Sequence, residues 1–170
     1  QSLTSRINNL SNYRNFLNLK NVHYFKEKIT YPIKDKIDTD VEKAFSRINK
    51  SGDVFLKCDI EGDEYKIIDE ILKYSSRIKM LIFEFHLADN NEENFYKAIK
   101  KIEKNFDIIH IHGNNHFPKC SSGLPFLLEI TLINKKFAPK NPEYINNYPI
   151  QGLDYPNNPY KDDLIFSFEN

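Results

Sequence analysis

Apolar residues recur at helical spacing at Leu3, Ile7, Leu10, Tyr13, Phe16 and Leu17, which predicts an opening amphipathic helix. Val22-His23-Tyr24-Phe25 reads as a short strand after it, closed by Tyr31-Pro32. Thr39, three residues before Glu42, makes a capping box for a helix with Val41, Ala44, Phe45 and Ile48 on one face, ended by Ser51-Gly52. The run from Val54 to Ile60 is so densely apolar that it predicts a central strand buried on both faces. Tyr65, Ile67, Ile68, Ile71 and Leu72 predict a helix, Met80 to His86 a strand, and Phe95, Ala98, Ile99 and Ile102 a further helix. Asp107 to His112 and Phe126 to Asn134 predict two more strands, joined by a long loop containing Gly, Asn and Pro. No helix separates that last pair, so an antiparallel arrangement is expected. Strands alternating with helices imply an α/β fold, mostly parallel with an antiparallel C-terminal strand. Residues 1–137 form the expected domain. Residues 138–170, rich in Pro, Asn and Tyr, form an irregular tail packed on it through aromatics.

Composition narrows the classes. A chain of 170 residues suits one domain with a core of its own. Lys plus Arg number 24 and Asp plus Glu number 24, so the basic footprint of a nucleic-acid binder is missing. A hydrophobic content of 40% excludes general disorder. Cys58 and Cys120 are too few for a disulfide framework, and Cys58 reads as a small buried hydrophobe. No apolar run suits a membrane span, and the start of the chain does not read as a signal peptide, so a cytoplasmic location is expected. The sequon Asn49-Lys50-Ser51 is expected to be idle, and the five glycines form no P-loop or other glycine-rich nucleotide loop.

In an open α/β sheet, ligands bind at the carboxyl ends of the strands. Three strands end in ionisable groups there: Asp59, Glu61 and Asp63 around Gly62; Glu84 and His86; and His110 and His112 before Gly113-Asn114-Asn115-His116. Period-two alternation places Glu84 with His86, and His110 with His112, on one strand face each. Such a cluster can take a proton from a hydroxyl, with Asp59, Glu84, His86 and His112 as the acid/base candidates. It can equally hold a divalent metal, with Asp59, Glu84 and His86 as ligands. Plainer roles compete. Asp59 and Glu61 can cap the next helix, Glu84 can pair with Lys57, His110 can be a core histidine, and Asn114-Asn115 can be only a turn.

Phe55-Leu56-Lys57-Cys58-Asp59-Ile60-Glu61-Gly62-Asp63-Glu64-Tyr65 resembles the Leu-Lys-x-Asp-Ile-Glu-Gly-x-Glu signature of the FkbM-type methyltransferases. Ile82-Phe83-Glu84-Phe85-His86, Ile109-His110-Ile111-His112-Gly113-Asn114-Asn115, Leu124-Pro125 and Leu128-Glu129-Ile130-Thr131 follow in the order of a bacterial branch of that family, as does Leu153-Asp154-Tyr155-Pro156-Asn157-Asn158-Pro159. The resemblance spans roughly residues 20 to 165, and several motifs in register are more specific than any one alone. It implies a Rossmann-like class I methyltransferase sheet using S-adenosylmethionine to methylate a hydroxyl of a sugar or secondary metabolite. It further implies Asp59, Glu61 and Gly62 beside cofactor and substrate, with Glu61 and Gly62 on the cofactor. Glu84, His86 and His112 would line the neighbouring strand ends, and Asn114 and Asn115 would contact a small-molecule acceptor.

The family's first strand, its glycine-containing cofactor loop and the acidic residue that holds the ribose should precede the opening helix, and this sequence does not contain them. The chain is therefore expected to be the C-terminal part of a longer enzyme, a truncated product, or a relic of the fold, and to bind the methyl donor poorly by itself. Losing those strands would leave a gap between the Val22 and Val54 strands. Either these two pair directly, or an upstream segment or second chain completes the sheet. Two function classes follow: an O-methyltransferase, and a non-catalytic binding or assembly domain that has lost the cofactor half.

Overall fold

The computed structural model describes residues 11–49, 51–87 and 91–167. A helix, α1, covers residues 11–17, and the remainder of the predicted opening helix lies outside the described residues. Strands β1 (Lys28–Ile29) and β2 (Asp38–Thr39) pair in parallel and lead into helix α2 (Val41–Ser46). Then follow β3 (Val54–Cys58), α3 (Glu64–Leu72), β4 (Ile78–His86), α4 (Glu92–Ile102), β5 (Phe106–Lys119) and β6 (Pro125–Asn134). The tail contributes β7 (Asn147–Tyr148) and β8 (Phe166–Ser167), paired antiparallel.

The main sheet has four strands in the order β3-β4-β6-β5. β3 and β4 are parallel, and β6 runs antiparallel to both β4 and β5. Three strands thus share a direction and the last opposes them, a mixed α/β sheet. Alternation divides its faces. Leu81, Phe83 and Phe85 of β4 pair with Leu132, Ile130 and Leu128 of β6, and all six are buried. Ile67 and Ile71 of α3 and Ile102 of α4 are buried in the same core. Phe85 meets Phe83 at 5.0 Å and Phe95 of α4 edge-on at 5.3 Å between ring centroids. Each such aromatic contributes about 1.5–3 kcal/mol through burial. The opposite face carries Ile82, Glu84, His86, Glu129, His112 and Asn114.

Several expectations are corrected. β3 is the outermost strand rather than a central one, and its pattern alternates: Phe55 is 60% exposed while Cys58 is buried. Dense apolarity reported one buried face plus an exposed Phe55, not two buried faces. Val22 to Phe25 forms no strand; Phe25 instead lies under the Arg47 guanidinium, 4.1 Å from its ring centroid. β1 and β2 form a sheet of their own, so direct pairing across the predicted gap does not occur among the described residues. Thr39 ends β2, and Asp40 is the N-cap of α2, accepting from the Lys43 amide at 2.7 Å. The long loop after His112 is strand: β5 continues to Lys119 and turns through Cys120 to Leu124. In the tail, Tyr148 is buried and stacks on Phe166, but Tyr144, Tyr155 and Tyr160 are exposed, so polar contacts carry much of the docking. Among the described residues no helix is long and apolar enough to cross a membrane.

Candidate functional site

The β3–α3 turn is built by a carboxylate that sequence reasoning left without a role. Glu64 is fully buried, and its Oε1 accepts from the amides of Ile60 (3.0 Å) and Gly62 (3.2 Å). Glu61 at φ 59° and Gly62 at φ 97° are both left-handed, which makes the turn from strand to helix abrupt. Neither Asp59 nor Glu61 caps α3. Asp63 occupies the N-cap position without a capping bond and pairs with Lys28, Lys66 and Thr30.

One line of ionisable groups crosses the polar face of the sheet. Glu84 of β4 stands opposite Glu129 of β6, which stands opposite His112 of β5. Asp59, one residue past β3, adjoins Glu84. Asn114 donates to Glu84 Oε1 at 3.1 Å, so Glu84 does not pair with Lys57, whose Nζ lies 3.6 Å from Asp59. Burial first, then the charges of Asp59 and Glu129, hold the Glu84 carboxyl above its usual range, and the Asn114 bond offsets part of this.

His112 lies between two carboxylates, with Nδ1 3.8 Å from Glu129 and Nε2 3.2 Å from Asp163 of the tail. Glu129, then Asp163, raise its imidazole to about 9 against the cost of its burial. His112 in turn lowers Glu129. An imidazolium at neutral pH cannot take a proton. His112 therefore fixes charge and geometry here, and the removal of a proton falls to the other groups.

His86 forms a second, adjoining cluster. Its Nε2 lies 3.4 Å from Glu61 and its Nδ1 3.3 Å from Glu64, while its carbonyl accepts from the Tyr65 hydroxyl at 3.2 Å. Among the described residues, Asp59, Glu61 and His86 are the one group whose ligand atoms all lie within 4.8 Å of one another. Glu84, named from sequence as a third ligand, is not in that group, and neither is His112. The predicted single constellation is thus two clusters that meet at Asp59.

Asn115 is turned to another task. It is 3% exposed, its amide donates to the carbonyls of Asn158, Lys161 and Asp162, and its Oδ1 accepts from the Asn158 amide at 2.7 Å. It ties the tail to β5. His110, half-buried, sits 2.9 Å from Asp154 and edge-on to Tyr148. Burial pushes the Cys58 thiol up to about 12.

The groups to which sequence reasoning assigned no role are Glu64, Glu129, Asp154, Asp163 and Asn157, whose amide donates to Glu129 Oε1 at 3.1 Å. Glu129 carried a signal as a lone carboxylate within an apolar strand, in the motif Leu128-Glu129-Ile130-Thr131. Asp154 and Asn157 stood in the tail motif Leu153 to Pro159 without a role, and Asp163 carried no signal, because it meets β5 only through the tail. A cleft of about 770 Å³, lined by Phe95, Ile99, Ile111 and Phe166, lies on the helix-covered face and shares none of these groups. Comparison with protein-family models, curated proteins and solved structures found no match.

Proposed function

We propose that the chain is an FkbM-type methyltransferase domain carrying the acceptor side of an S-adenosylmethionine-dependent O-methylation, its acceptor a small carbohydrate-related or secondary-metabolite hydroxyl. The observation that carries this reading is the line Asp59, Glu84, Glu129 and His112, one group from each strand, on one face of the sheet and at the carboxyl ends of β3 and β4. Three aligned strands and an opposed last one support reading the sheet as a Rossmann-like class I sheet without its first strands. The outermost position of β3, with Phe55 exposed, supports an upstream segment or second chain completing that sheet.

The β3–α3 turn is where the resemblance would place the methyl donor. Among the described residues nothing lies within 4 Å of where a Cβ on Gly62 would stand, so a ligand can approach the backbone there. The turn holds no second glycine, and the Glu61 side chain is 88% exposed rather than fixed against a ribose. The donor's two polar ends are not fitted by these residues. On the acceptor side, Asn114 and Glu84 form a donor–acceptor pair suited to a hydroxyl, and Glu84 takes its proton. The missing fit favours a second reading, a binding domain that holds the acceptor without methylating it.

The test supplies methyl-labelled S-adenosylmethionine at millimolar concentration with a panel of sugars. Label in a sugar hydroxyl with the native chain and none with Glu84→Gln would establish the first reading. Sugar binding without label establishes the second reading instead. Neither label nor sugar binding overturns both.

A further inference from the structure

We infer that Asp59, Glu61 and His86 form a site for one divalent cation of the first transition row, Mn²⁺ foremost, with Glu64 as the carboxylate that orients the histidine. The inference concerns the metal alone and stands whether or not the chain transfers methyl groups.

Geometry comes first. Ligand atoms about 2.1 Å from a common ion lie roughly 3 to 4 Å apart, and one atom from each of these three side chains falls within 4.8 Å of the other two. The His86 Nε2 to Glu61 Oε2 separation of 3.4 Å is itself in the range for two ligands of one ion.

The second observation is Glu64, which is fully buried and faces the back of the same histidine. Its Oε1 is fixed by two backbone amides and lies 3.3 Å from His86 Nδ1. Its Oε2 has no hydrogen-bond partner among the described residues, and nor does His86 Nδ1. A buried carboxylate left in this state is costly unless positive charge stands near it. Placed behind an imidazole, it favours the Nδ1–H tautomer and turns the Nε2 lone pair towards Glu61 and Asp59. Metal-binding histidines are held by carboxylates in this way.

The charge balance agrees. Asp59, Glu61 and Glu64 lie around His86, Glu84 adjoins Asp59, and Lys57, 61% exposed, pairs with Asp59 at 3.6 Å. A divalent ion at the centre would neutralise two of these charges. Ligand chemistry selects the class. Two carboxylates with one imidazole suit Mn²⁺ or Fe²⁺ better than Ca²⁺, which takes oxygen ligands, and three protein ligands leave coordination positions open.

The experiment is titration of Mn²⁺ into the metal-stripped full chain, followed by electron paramagnetic resonance and by broadening of the histidine ring signals. One ion per chain is expected, with His86 broadened first and His23 unaffected. Glu61→Gln, on a side chain 88% exposed and so unable to unfold the protein, should weaken binding strongly. Glu64→Gln keeps an oxygen for the two amides but loses the charge behind His86. It should weaken Mn²⁺ by roughly 10- to 100-fold and shift the His86 tautomer towards Nε2–H in the metal-free protein. No binding at millimolar Mn²⁺, broadening centred on another histidine, or unchanged affinity in Glu61→Gln overturns the inference.

Discussion

Raising the pH should loosen the hold of the tail on the sheet, because His112 is the cation between Glu129 of β6 and Asp163 of the tail. The folded value of about 9 lies above the ordinary 6.5. The contribution is therefore fully present below pH 6.5 and is lost as the pH rises through 9. That interval corresponds to at most about 3 kcal/mol. The His112 side chain is only 10% exposed, so solvent screening removes little of it. For a chain of this size, the loss lowers the melting temperature by about 6–12 °C. Other groups titrate over the same range, so the assay is a difference: thermal melts from pH 6 to pH 10 for the native protein and for His112→Gln. The native curve should fall towards the variant's as the pH rises and meet it above pH 9. Curves that stay parallel throughout would show that His112 is not held charged, and the clamp would be abandoned.

Gly62→Val should destabilise the fold by about 1–3 kcal/mol through backbone strain alone, since φ is 97° and open space surrounds the site; chemical denaturation measures it, and an unchanged midpoint would contradict the turn geometry. Phe85→Ala removes a fully buried ring and should cost about 3–5 kcal/mol in the same assay, with a loss under 1 kcal/mol counting against the core as described. Cys58, buried and with its thiol raised to about 12, should resist aromatic disulfide reagents in the native state at pH 8 and react on unfolding; rapid native labelling at Cys58 would place β3 wrongly.

Elements with strong periodicity were legible in the sequence. Leu81, Phe83 and Phe85 alternate with Ile82, Glu84 and His86, and that alternation fixed both the strand and the shared face of Glu84 and His86. The position of β3 at the edge was not legible, because apolar density reports what a strand buries and not how many neighbours it has. The capping residue was misplaced by one position, since Thr39 and Asp40 are both good caps and only the pairing of Thr39 with Ile29 decides between them. In the site, the strand ends were found and their partners were not. Glu129 becomes visible only when the order β4-β6-β5 sets it between Glu84 and His112, and Asp163 reaches His112 across 51 positions of sequence. Such long-range contacts leave no local pattern. Glu64 was hidden differently, by a charge that looks like an ordinary first-turn acid and is in fact completely buried.

The central claim, that the polar sheet face rather than the helix-covered cleft receives a hydroxyl-bearing ligand, is tested most directly by titrating simple sugars into the isotope-labelled chain and mapping the amide shifts. Shifts concentrated at Asp59, Glu84, His86 and Asn114 are predicted. Shifts concentrated around Phe95, Ile99, Ile111 and Phe166, or no shifts at all, would contradict it.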